Sequence, residues 1–363
     1  MKDYEYVWTL LEEDYPYYAY IVKQGVEVKD IKERYEREVL DVDSDESFAE
    51  LLSSMFIEMG GLGHLSVVDM DTYNAYCSLI EKDRSFGSIK MDIAFKRRLN
   101  SENLSKIYSI QNKNSYYKKE ININNETQTQ YLSENNTLYI KIPTFSSDLI
   151  ERDKDLLQNV IINYPETKNI IIDISGNGGG SDMYWIENII EPFGGDYIQN
   201  STLYFKNSYL VDEYFGEDIL NDISSLEYVP EYVSDFGLDK YIDNNLCISG
   251  DSKISNCKDI KKWVIISENT YSSADSFAQF CKETGWAVLV GTKTGGSGGG
   301  VTPILEILPN TGILIRFSLD IVINDDGEVN AIVGTYPDRY CKKNETPLDK
   351  CIEEIKKDSA ERE

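Results

Sequence analysis

The chain of 363 residues has a single histidine, His64, and only 36 lysines and arginines against 63 aspartates and glutamates. With one imidazole and no CxxC pair a Cys/His zinc site is not expected, and neither a metal nor another cofactor is expected. The net charge of −27 argues against nucleic acid as a partner, because a phosphate backbone is held by clustered Lys and Arg. It equally disfavours an anionic membrane surface. No run of about 18 apolar residues occurs, so stable membrane insertion through a helix is not expected. The opening MKDYEYVWTLLEEDYPYYAY lacks the basic segment and apolar run of a secretory signal. Two locations stay open: secreted or cell-envelope after removal of a signal, or cytoplasmic. None of the six cysteines, at 77, 247, 257, 281, 341 and 351, forms a CxxC pair. Cys247 with Cys257, and Cys341 with Cys351, would close short loops in an oxidising compartment; free thiols are the alternative.

What is present suffices for a large core, since 41% of residues are hydrophobic over a length that buries most of its surface. Residues 1–76 read as a helical region that carries the His64 turn. In DSDESFAELLSSMFIEM, Asp43 with Glu46 predicts a cap, Phe48, Leu51, Leu52, Met55, Phe56 and Met59 share a face, and Gly60 and Gly61 end the helix. Residues 77–134, rich in Asn, Lys and Ser, read as a small linking region of short strands. From residue 135 to 350 the pattern is α/β. LYIKI, NIIIDI, WVIIS and WAVLVG are apolar strands, and DLLQNVI, DMYWIENII and SADSFAQFCKETG are helices between them. Continuous apolar strands separated by helices predict βαβ units around a mixed sheet. The stretch from Phe193 to Cys257 is expected to be a loop or helical insertion. ILEILPNTGILIRFSLDIVINDDGEV predicts antiparallel strands turning at PNTG and NDDG. Residues 351–363, a charged tail, are expected to fray.

Chemistry is expected at strand ends, where loops converge in an α/β sheet. DISGNGGG, Asp173 to Gly180, ends one strand, and its glycines can turn backbone N–H groups toward an anion or an oxyanion. It matches neither GxGxxG nor GxxxxGK[ST], which disfavours nucleotides. NTYSSADSF places Ser272 after another strand, at the start of a helix. There it is expected to serve in the cap region while presenting its Oγ, with the Ser273 N–H nearby. A serine needs a base, and His64, in GGLGHLSVV, is the only imidazole that can supply one.

These segments, in this order, resemble the S41 family of tail-specific and C-terminal processing peptidases and their tricorn-core relatives. The family's DLRxNxGG, SAxE and VGxxTxG correspond to DISGNGGG, SSAD and VGTKTGG over roughly residues 136–338, and LGHLS resembles its Gly-His-Thr/Ser turn. The resemblance implies Ser272 as nucleophile and an oxyanion hole from the N–H groups of Ser273 and of Gly179, with Gly178 next. Where many processing peptidases carry a lysine base this chain has Ser297, and Lys293 lies four residues earlier. The tricorn-like branch uses histidine, which maps to His64. At its orienting positions this chain departs from the branch: Gly63 stands where a serine precedes the histidine, and Ala331 where an acid is common. Ser66, Glu328 and Asn330 are the candidates. No PDZ-like module is apparent.

The reading is therefore an S41-like α/β serine peptidase acting on a peptide or protein substrate through an acyl-enzyme. The alternatives are a catalytically inactive peptide-binding relative and an esterase using the same residues.

Overall fold

The computed structural model describes residues 1–109, 126–252, 260–324 and 327–361. Its architecture is mixed α/β with a helical N-terminal region, as expected. It comprises two compact units: Met1–Ile121 with Thr202–Asp243 and Gly300–Ile321, and Asn122–Ser201 with Asn244–Gly299 and Val322–Glu363.

The second unit is built on a six-stranded sheet of β1 (Gln128–Leu132), β2 (Thr137–Lys141), β3 (Asn169–Asp173), β4 (Lys261–Ile266), β5 (Val288–Gly291) and β6 (Arg339–Tyr340). The strands lie side by side in chain order, β2 to β6 parallel and β1 antiparallel at the edge. The apolar runs are explained by the pleat, which sends alternate residues to opposite faces. Ile170, Ile172, Val264 and Ile266 join a core with Phe277 and Phe280 of helix Ser273–Thr284 and Leu157 of helix Ile150–Asn163. Ile171, Trp263, Ile265 and Val290 pack on the other side against Cys351 and Ile355. That second contact corrects the expectation of a frayed tail: Pro347–Glu361 is one helix, and burying Cys351 and Ile355 is what holds it.

The first unit begins with helices Lys2–Glu13, Tyr18–Lys23, Val28–Glu38 and Asp45–Glu58. The cap of the last is Ser44 rather than Asp43, in a reciprocal box with Ser47 in place of Glu46. Helix Met70–Glu81 continues the helical region past residue 76, and helix Ile89–Leu99 occupies a stretch for which short strands are expected. Asp69 and Ser88 cap them through Thr72 N and Met91 N, and Met91, Ala94, Phe95, Arg98 and Leu99 form a buried stripe at helical spacing. Arg98 in that stripe donates to Glu306 (Nε to Oε2, 2.9 Å) and to Glu213 (Nη1 to Oε1, 2.9 Å; Nη2 to Oε2, 3.0 Å).

Ser66–Val67, Leu314–Phe317 and Ile304–Ile307 form an antiparallel three-stranded sheet, in that order. The PNTG turn that joins two of these strands is gripped by Asp3. Its Oδ1 accepts from Asn310 N (2.9 Å) and Nδ2 (2.6 Å), and its Oδ2 from Thr311 N and Oγ1 (both 2.7 Å). In the NDDG turn, Asp325 and Asp326 lie outside the described residues. The expected insertion between 193 and 257 contains two paired eleven-residue strands, Gly195–Phe205 and Lys240–Gly250, as well as short helices. Cys77, Cys247, Cys281, Cys341 and Cys351 are free thiols, so the 341–351 bridge is not formed; Cys257 lies outside the described residues.

Candidate active site

The carboxyl ends of β2, β3 and β4 are stitched together by hydrogen bonds that leave little freedom to the loops they carry. Asn177 is fully buried; its Nδ2 donates to Ile142 O (3.1 Å) and its carbonyl accepts Tyr271 N (3.1 Å). Thr270 Oγ1 donates to Ile174 O (2.9 Å), and Ser267 Oγ to Ser175 O (2.5 Å). Ser272 leaves this turn with φ 56° and ψ −128°, a conformation that costs a non-glycine residue about 1–3 kcal/mol and is found mainly at functional sites. Its N–H donates to Gly296 O at 3.0 Å. Helix Ser273–Thr284 begins at the next residue, and Ser272 occupies its cap position without a side-chain capping bond. Ser272 thus stands in the cap region, as expected, and its hydroxyl is not used up in capping the helix.

The glycine turn after β3 lies against the same serine. Gly179 has φ +104°, and a Cβ there would sit 2.8 Å from both Ser272 Cβ and Tyr271 O, and 3.0 Å from Ser273 N. Only glycine permits that approach. The Gly179 N–H, expected to serve an oxyanion, donates instead to Asn177 Oδ1 at 2.8 Å. The Gly178 N–H has no hydrogen-bond partner among the described residues, and Gly178 is exposed. The Ser273 N–H, first in its helix, has no intrahelical acceptor. Lys293 is exposed, and Ser297 adopts φ 63°.

His64 belongs to the first unit. It lies in the turn before Ser66–Val67, buried to 8% exposure, at φ 64°. Its Nδ1 is 3.4 Å from Ser318 Oγ, and Ser318 N donates to Gly63 O at 2.7 Å. Burial and then the Arg316 charge press the imidazole pKa down to about 3, so the ring is neutral at physiological pH. At Gly63, with φ +54°, a Cβ would fall 2.3 Å from the Tyr17 ring, so a serine there would be strained and crowded.

The proposed orienting groups are placed as follows. Ser66 Oγ donates to the His64 carbonyl (3.1 Å), not to the ring, and accepts Arg316 Nε (3.1 Å). Glu328 lies in the second unit, in a turn closed by Asn324 N to Glu328 O and Glu328 N to Asn324 Oδ1, each 2.9 Å. Asn330, also in the second unit and fully buried, accepts Gly298 N at Oδ1 (3.1 Å). Thus Ser272, Ser273, Gly178 and Gly179 are brought together in one unit, and His64 with Ser66 in the other. Ser318 escaped the sequence reading. Its signal is register: the pairing Ser66↔Arg316, extended by two residues, sets 318 opposite 64.

The model for peptidase family S41 matches residues 136–340. No curated protein matches the sequence. Among solved structures, a candidate peptidase of Parabacteroides merdae ATCC 43184 has a TM-score of 0.58 at 17% identity, over 98% of this chain and 96% of that one. A lipoprotein from Streptococcus agalactiae has a TM-score of 0.50 at 16% identity, over 91% and 88%. These two likenesses concern the fold. The family match spans more than half of the chain and contains the strained serine and its glycine turn, and on that ground the chain belongs to peptidase family S41.

Proposed function

We propose that the protein is a serine peptidase in which Ser272 is the nucleophile and His64 the general base. The observation that carries this reading is the Ser272 backbone, strained at a strand-to-helix turn with Gly179 packed against it, while the N–H groups of Ser273 and Gly178 take no hydrogen-bond partner among the described residues. Ser272 Oγ attacks the substrate carbonyl while His64 Nε2 takes its proton, Nδ1 being directed to Ser318. The negative oxygen is received by the N–H groups of Ser273 and Gly178, in preference to that of Gly179, which is committed to Asn177. Collapse expels the amine with the proton from His64. Water, deprotonated by the same imidazole, then hydrolyses the acyl-enzyme. The neutral ring has a lone pair for that proton, although the burial that keeps it neutral also weakens it as a base, and Ser318 fixes its orientation.

A non-catalytic, peptide-binding role draws on one observation: position 330 is an amide already bonded to Gly298 N, and position 331 is alanine. An esterase would use the same machinery. Incubation with a denatured-protein digest and with a panel of simple esters separates the three. The peptidase reading predicts new peptide termini that are absent with Ser272→Ala. Turnover of esters alone would favour the esterase, and no turnover of either the inactive binder.

A further inference from the structure

We infer that Asp275, together with Thr294 and Thr335, is a positioning clamp that holds the Ser272 turn in its strained conformation, an inference that rests on Ser272 as nucleophile. Asp275 is the third residue of helix Ser273–Thr284 and is fully buried. Its Oδ1 accepts from Thr294 Oγ1 (2.5 Å) and Thr335 Oγ1 (2.7 Å), and its Oδ2 accepts from Gly298 N (3.0 Å). Thr294 Oγ1 accepts from Thr335 N (2.6 Å), so its own proton is directed to Asp275. All these partners donate, an arrangement that favours the carboxylate form, as does the first turn of a helix, although burial leaves the group raised on balance. Burial pushes the Asp275 carboxyl up, and the bonds from Thr294, Thr335 and Gly298 act against that shift.

An acid at this helix position ordinarily reaches back to the N–H of the cap residue. Asp275 does not: the Ser272 N–H goes to Gly296 O, and the carboxylate is spent on the loop that contains Gly296. The same loop is tied down on both sides, by Gly295 N to Thr270 O (2.8 Å), by a parallel bridge between Tyr271 and Gly296, and by Gly299 N to Ser276 Oγ (2.8 Å). A serine held at positive φ persists only where its surroundings over-determine it. Here the surroundings are loop 294–299, and Asp275 is the group at which its side-chain anchors converge.

The test compares fluorophosphonate labelling kinetics of wild type, Asp275→Asn, Thr335→Val and Thr335→Ser, with hydrogen exchange of peptides covering 270–276 and 292–300. Asp275→Asn is expected to slow bond formation by about 100-fold with the reagent's binding constant within about twofold, the signature of misplaced reacting atoms. Faster exchange should be confined to those two peptides. Thr335→Val should move both readouts in the same direction, and Thr335→Ser should restore them. Thr335→Val keeps the buried carboxylate, so it decides the matter if Asp275→Asn fails to fold. Wild-type labelling rates in the folded fraction, or unchanged exchange at both peptides, would overturn the clamp. Labelling that survives Ser272→Ala would instead overturn the nucleophile assignment, and the exchange comparison would still decide the clamp.

Discussion

At the scale of single residues, His64 sets burial against charge. Its pKa of about 3 predicts that kcat/KM on a peptide substrate stays level between pH 5 and 8, because the free-enzyme base is already deprotonated throughout. An acid limb centred near pH 6.5 would mean an imidazole as solvated as a free one. The glycine turn makes a second prediction. Gly178→Ala keeps its N–H and meets nothing within 4 Å, so activity should change little, whereas Gly179→Ala drives a methyl into Ser272 and should remove activity; steady-state assays of the two purified variants decide. Ser272 and His64 were legible in the sequence as residue types at a strand end and in a glycine turn. Ser318 was not, because antiparallel register cannot be read from either strand alone. Nor was the commitment of the Gly179 amide to Asn177, which depends on where one buried side chain turns.

At the scale of elements, helix Ile89–Leu99 is fastened through Arg98, which is 3% exposed and whose guanidinium lies 4.8 Å from the Tyr214 ring centre. Replacing it with methionine strands Glu213 and Glu306 and should cost about 3–5 kcal/mol in urea denaturation. A loss below about 1 kcal/mol would show that both acids reach water or take up protons. The C-terminal helix offers a parallel case: Ile355→Ala should cost about 2–5 kcal/mol, where a frayed tail would cost nothing. The βαβ segments were legible because their strands are apolar on both faces. This helix was not, because in EEIKKDSAERE a single isoleucine marks the docking face. Helix 89–99 was obscured in the same way, by the polar residues between its buried positions.

Over the whole molecule, two buried groups of the first unit pull stability in opposite directions with pH. The imidazole of His64 is depressed from 6.5 to about 3; the unfolded chain therefore binds the extra proton, and stability falls as pH drops from about 6.5 toward 3. Asp320, 2% exposed with Oδ1 unpartnered among the described residues, is raised by burial to about 7. Its contribution is complete below the unfolded carboxylate value and is lost as pH rises through about 7. Asp320→Asn should therefore raise the urea midpoint at pH 8 relative to wild type and change it less at pH 5. An equal effect at both pH values would mean that Asp320 does not titrate in this range. The negative charge of the chain, legible from composition, says nothing of these two sites, because each is set by local burial.

The assignment of Ser272 and His64 joins all three scales, and intact-mass analysis after reaction with a fluorophosphonate tests it. Wild type should gain one adduct mapped to Ser272, Ser272→Ala should gain none, and His64→Ala should react slower by about 10²–10⁴-fold. An adduct forming on Ser272→Ala at the wild-type rate, or no adduct on folded wild-type protein, would contradict it.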